Sequence, residues 1–144
     1  MFMSFFSSKN QKLVKRWVAE HEQIVILAHE VIAQYSQNNY EAAKTELKKL
    51  NELAVKHIMD EDLEFYRLLK DQKRLNGETE KLVNDFKRTF KDTKSTLMGF
   101  LTKYTQDDAV LDDNFFTTFN ELVGVLAQRI TFEEENLYVA LNSK

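Results

Sequence analysis

Cysteine and proline are absent from this 144-residue chain, and glycine occurs only as Gly77, Gly99 and Gly124. Without cysteine there is no disulfide, thiolate nucleophile, iron–sulfur cluster or cysteine-ligated zinc. With no proline, few glycines and abundant Leu, Glu, Lys and Ala, the chain favours long helices over strands and turns, so the expected fold class is all-α. Charge of one sign is lacking too. The net charge of −3 is spread in mixed sign along every segment, with no basic stripe to follow a phosphate backbone, which argues against nucleic acid as a partner. No apolar run is long enough to span a bilayer, so no membrane partner is expected. The apolar start "MFMSFFSSKNQK" is too short for a signal-peptide core and no small-residue cleavage site follows, so the expected location is cytoplasmic. Gly-rich loops and recognisable nucleophile arrangements are also missing, and the chain is expected not to be an enzyme.

What remains is helix and its punctuation. Turn-forming residues cluster at "QNN" (37–39), "RLNGE" (74–78) and "TQDDAVLDDN" (105–114), leaving four helical segments near 9–36, 39–72, 78–105 and 113–142. Asn38 and Glu41 have the spacing of a capping box, Asn76-Gly77 is a turn signal, and Asp112 or Asp113 is placed to cap the last helix. Short connections force neighbours to run antiparallel, so the expected architecture is an up-down-up-down four-helix bundle in one domain over 1–144, with residues 1–8 a candidate disordered lead. Trp17, Phe86, Phe90, Phe100, Phe116 and Phe119 fall at helical spacing and are expected in the core.

The chain also repeats. "HIMDEDLEFYRLL" (57–69) aligns without gaps on "RITFEEENLYVAL" (129–141), pairing Glu61 with Glu133 and Tyr66 with Tyr138. "HEVIAQYSQ" (29–37) likewise aligns on "MGFLTKYTQ" (98–106), pairing Tyr35 with Tyr104. Two helical hairpins related by a pseudo-twofold are implied, with His57 opposite Arg129 and His21 opposite Phe90.

His57 and Glu61, four residues apart, share one helix face and can grip one metal ion. Taken alone the pair is more often a satisfied polar contact. The repeat adds Glu133 at equivalent depth and brings His21 within reach, giving a candidate set of two histidines and two carboxylates in the middle of a bundle. His29 lacks any such partner and is expected in the core or a groove. "DEDLE" (60–64) and "FEEEN" (132–136) are expected to be part buried and part solvated.

"EHEQIVILA", "HIMDEDLEFY" and "RITFEEENLY", in this order and spacing, resemble the hemerythrin-like (HHE cation-binding) domains over nearly the whole chain. The resemblance implies a four-helix bundle of a kind that holds two irons with five histidines and two bridging carboxylates, and that binds oxygen or senses oxygen, iron or redox state. In it His21 looks like the first-helix ligand, His57 and Glu61 like the second-helix ligand and its bridge, and Glu133 like the second bridge. The third-helix histidines are replaced by Phe86 and Phe90, and the fourth-helix histidine by Arg129. Phenylalanine has no lone pair and arginine stays protonated, so a full di-iron centre and oxygen carriage are not expected. The leading expectation is a metal-free centre in which Arg129 bridges Glu61 and Glu133. Beside it stands a single iron, zinc or manganese ion held by His21, His57, Glu61 and Glu133. Either suits a non-enzymatic sensor, metal-binding or regulatory module.

"KLVKRW" (12–17) and "ELVGVLAQRITFEEENL" (121–137) are similar, more weakly, to the helical-bundle regulators of the primary sigma factor of bacterial RNA polymerase, the regulator of sigma D and AlgQ family. That similarity implies an alternative: a metal-free interaction protein, monomer or homodimer, that binds a sigma factor or another signalling protein, with the acidic clusters as contributors to the docking surface.

Overall fold

The computed structural model describes residues 9–70 and 77–142. Its elements are α1 (Lys9–Ser36), α2 (Tyr40–Lys70), α3 (Gly77–Tyr104), α4 (Asp113–Phe132), a π-helical segment (Glu133–Leu137) and α5 (Tyr138–Asn142), and no strand occurs among the described residues. The expected lead at 1–8, the turn residue Asn76 and the end of the second helix beyond Lys70 lie outside the described residues.

Cross-helix contacts fix the topology. Glu20 meets His57 while Arg16, one turn earlier, meets Asp60, so α1 and α2 are antiparallel. Phe65 packs on Phe86 and Asp62 bonds Lys94 across α2 and α3. Phe86 stacks on Phe132 and Phe100 on Phe119 across α3 and α4. Trp17 against Tyr138 and Tyr35 against Phe115 close the ring. The fold is an up-down-up-down four-helix bundle.

The first turn departs from the expected capping box. Asn38 has φ 64°, a left-handed conformation that asparagine tolerates better than most residues. Its N–H donates to the Tyr35 carbonyl at 2.9 Å and that of Asn39 to the Gln34 carbonyl at 2.9 Å. This is the double bond pattern of a Schellman stop. Asn38 therefore ends α1, and the Asn39 carbonyl accepts the first bond of α2, from Ala43 N–H at 2.9 Å. At α4 it is Asp112 that caps, accepting from the Phe115 N–H at 2.8 Å. The preceding loop is pinned by Lys44, which is buried and donates to the Asp107 and Ala109 carbonyls at 2.8 and 2.7 Å. A buried ammonium is tolerable only with partners of this kind.

The core is in two parts. One joins the C-terminal half of α1, the N-terminal half of α2, the C-terminal half of α3 and α4, with Val31, Leu47, Leu101 and Phe115 at its middle. The other, at the opposite end, is built on Trp17, Phe65, Leu68, Val83 and Leu137. Phe90 packs against both. Between them lies a layer of buried polar side chains.

Candidate metal centre

His21 on α1, His57 and Glu61 on α2, and Glu133 at the start of the π-helical segment meet in that layer, all four buried. Each offers a ligand atom within 4.8 Å of the others. The helices dictate the arrangement. His21 lies between the core positions Trp17 and Ile24, one turn from each, and Glu61 lies one turn before Phe65, so the ionisable groups occupy the same inward stripes as the apolar residues.

Each imidazole is held from behind. His57 Nδ1 is 2.7 Å from Glu20 Oε1 and His21 Nδ1 is 2.8 Å from Glu134 Oε2. With Nδ1–H donating outward in both rings, the Nε2 atoms face the centre, that of His21 toward Glu133 and that of His57 toward Glu61. His21 Nε2 lies 3.3 Å from Glu133 Oε1, and His57 Nε2 lies 2.9 Å from Glu61 Oε1. His57 Nε2 and Glu133 Oε2 are buried and make no hydrogen bond, the former keeping only its ion-pair contact with Glu61. Tyr138 supplies a further tie: its hydroxyl donates to Glu61 Oε2 at 2.7 Å and lies 3.3 Å from His21 Nε2.

Burial and neighbouring charge set the protonation. Burial drives the Glu133 carboxyl well above its usual range, reinforced by the Glu61 carboxylate beside it, so Glu133 keeps its proton. Burial opposes ionisation of Glu61 as well, but there His57, Glu133 and Tyr138 outweigh it and the carboxylate titrates low. In His21 burial dominates and lowers the pKa. Burial acts the same way on His57, yet Glu61 and Glu20 overcome it and raise that pKa. Tyr138 is pushed far up, chiefly by burial and then by Glu61, and stays a phenol.

Arg129 does not bridge the carboxylates. Its guanidinium lies over the Phe86 and Phe90 rings, 5.9 and 5.7 Å from their centroids, and donates to the Thr89 carbonyl at 2.8 Å and hydroxyl at 3.2 Å. The stacked aromatic faces and the Thr89 carbonyl on α3 offer the cation a half-exposed seat without the cost of full desolvation. Phe86 is buried beneath it and Phe90 half-buried on the wall of the centre.

Glu20, Glu134 and Tyr138 carry no sequence signal that singles them out. Glu20 adjoins His21 but bonds His57, and Glu134 is one of three consecutive glutamates. His29, exposed on α1, has no part in the centre.

The family model of the hemerythrin HHE cation binding domain matches residues 12–141. The chain belongs to that family. No curated protein and no solved structure matches it. The match runs from α1 into α5, so this hemerythrin HHE domain carries all four ligand candidates within the matched region. None of its described helices is long and apolar enough to cross a membrane.

Proposed function

We propose that this hemerythrin HHE domain binds one divalent metal ion through His21, His57, Glu61 and Glu133, and acts as a non-enzymatic sensing or regulatory module. The observation that carries the reading is a pair of buried atoms that make no hydrogen bond, His57 Nε2 and Glu133 Oε2, inside a cluster whose ligand atoms lie within 4.8 Å of one another. Buried polar atoms without partners are costly, and a cation is the partner this donor set would accept. Two neutral imidazoles and two carboxylates sum to −2, the charge that offsets one divalent ion. Iron, zinc and manganese all accept mixed nitrogen and oxygen donors. A bound ion would supply a Lewis acid, and with iron or manganese a redox couple as well.

The protein's own part is to orient the ligands and manage protons. Glu20 and Glu134 hold the rings with Nε2 inward, and Tyr138 holds Glu61. Filling the site requires Glu133 and His57 to give up their protons, so affinity should rise with pH. The cavity at the centre is about 30 Å³, far below the roughly 300 Å³ at which small-molecule pockets begin, which supports a role without an organic substrate. Within the acidic clusters Asp60 pairs with Arg16 and Trp17, Asp62 with Lys94, and Glu134 with His21.

Elemental analysis of tag-free protein, with zinc and manganese titrations of the stripped form, tests the proposal. One equivalent of metal, lost in His57→Ala, is the expected result. Stripped protein that takes up no ion under neutral conditions would overturn it.

A further inference from the structure

The stretch "HIMDEDLEFY" has an outward face as well as an inward one. While His57, Glu61 and Phe65 are buried in the bundle, Met59, Leu63 and Tyr66 of the same turns are 62, 47 and 54 % exposed. Among the described helices only α2 exposes three large apolar side chains at i, i+4 and i+7. Single apolar residues on a surface need no explanation, but a contiguous row of them marks a place where something binds.

Lys56 and Lys70 extend the row by one turn at either end, so positions 56, 59, 63, 66 and 70 are spaced by three, four, three and four. That is the 3.5-residue period of a seam that receives a second helix, the side chains of one fitting between those of the other. Both lysines are exposed, Lys70 over the Tyr66 ring at 5.2 Å, and neither is ion-paired among the described residues. The acids of this stretch are already engaged or covered. Glu61 and Glu64 are buried, Asp60 pairs with Arg16 on the α1 side, and Asp62 pairs with Lys94 on the α3 side. Glu52, exposed one turn beyond Lys56, closes the row.

The charges select the occupant. A second copy paired antiparallel about Leu63 would set Lys56 against Lys70, and a parallel one would set each lysine against itself; like charges at such positions oppose pairing. An anionic membrane would press its charge on Asp60 and Asp62 along both flanks. A helix that carries acidic residues at its two ends, matching the roughly 21 Å between Lys56 and Lys70 along α2, meets neither conflict. We infer that the outer face of α2 docks an amphipathic helix of a partner protein, its apolar residues seated on Met59, Leu63 and Tyr66 and an Asp or Glu near each end meeting Lys56 and Lys70. The docking itself needs no ion. That it reports on the centre rests on the metal reading, because the opposite face of the same turns carries His57 and Glu61.

Two stapled helical peptides, each with three leucines at heptad spacing, one ending in glutamates and the other in lysines, test this by methyl-resolved NMR of the full chain. Saturable shifts at the Met59 and Leu63 methyls are expected with the acidic peptide, which should bind at least tenfold tighter than the basic one. Lys56→Glu combined with Lys70→Glu should reverse that preference. Met59→Ser combined with Leu63→Ser should abolish binding and, both positions being exposed, leave helicity unchanged and zinc affinity within twofold. Equal binding of the two peptides, shifts centred away from α2, or no saturable shift would overturn the inference. So would binding to phosphatidylglycerol vesicles in preference to the acidic peptide, or a concentration-dependent dimer that Leu63→Ser dissolves. Acidic-peptide binding by protein that takes up no zinc would overturn only the metal proposal.

Discussion

Glu133 is the residue where burial and charge disagree most. Its folded-state pKa lies well above the reference value of 4.5, so the native protein holds a proton that the unfolded chain releases. Stability from this group is fully present below the unfolded pKa and is lost as pH rises through the folded one. Glu133→Gln mimics the protonated acid at every pH. In stripped protein it should change the melting temperature little near pH 5 and raise it at pH 8, while weakening zinc binding at least tenfold. An equal drop at both pH values would mean that Glu133 is held as a carboxylate. Arg129 presents the opposite case. With its charge seated on two rings and a carbonyl, Arg129→Ala should cost about 0.5–2 kcal/mol in urea unfolding. A loss above about 3 kcal/mol would restore the buried bridge between Glu61 and Glu133. The ligand candidates were legible in the sequence because a four-residue spacing and a repeat both point at them. The position of Arg129 was not, because a long side chain leaves its backbone position by several ångströms and settles where solvent and aromatic faces share it.

Among the elements, the π-helical segment is the one the repeat concealed. In α2 the buried positions Glu61, Phe65 and Leu68 are spaced by four and three, whereas Glu133, Leu137 and Leu141 are spaced by four and four. A gapless alignment pairs Tyr66 with Tyr138, yet Tyr66 is 54 % exposed and Tyr138 2 %. The wide turn, closed by Tyr138 N–H on the Glu133 carbonyl, absorbs one extra residue and so turns Tyr138 inward to reach Glu61. Such turns often sit at functional sites. Asn136 is exposed, and its amide donates back to the Phe132 carbonyl at 3.1 Å. Deleting it would place the buried residues at i, i+3, i+4 and i+7 of an ordinary helix. The deletion variant should therefore fold, at a cost below about 2 kcal/mol, with unchanged helicity by circular dichroism. Loss of cooperative unfolding would show that the wide turn is more than one inserted residue. Helix number and order were legible because long apolar stripes and polar turns set them. The Asn38 stop was not, because an asparagine two residues past a helix and one opening the next have the same local sequence, and only backbone handedness separates them.

For the molecule as a whole, apolar burial drives the bundle together at both ends, with Phe90 packed against both parts and a layer of polar side chains between them. At mid-height the helices are tied by imidazole–carboxylate pairs and the Tyr138 hydroxyl, contacts that respond to protons and ions as packed leucines do not. The two ends can then differ in local stability, as cooperative subregions of a single domain do. Amide hydrogen exchange is the measurement that sees this. Stripped protein should exchange faster in the first turns of α1 and in α5 than around Leu47 and Leu101, and saturating zinc should slow the former far more than the latter. Uniform slowing over the whole chain would indicate one cooperative block. If the graded pattern holds, the polar layer works as a coupling between halves: occupancy in the middle is read out as mobility at one end, where another molecule could sense it without ever touching the ion.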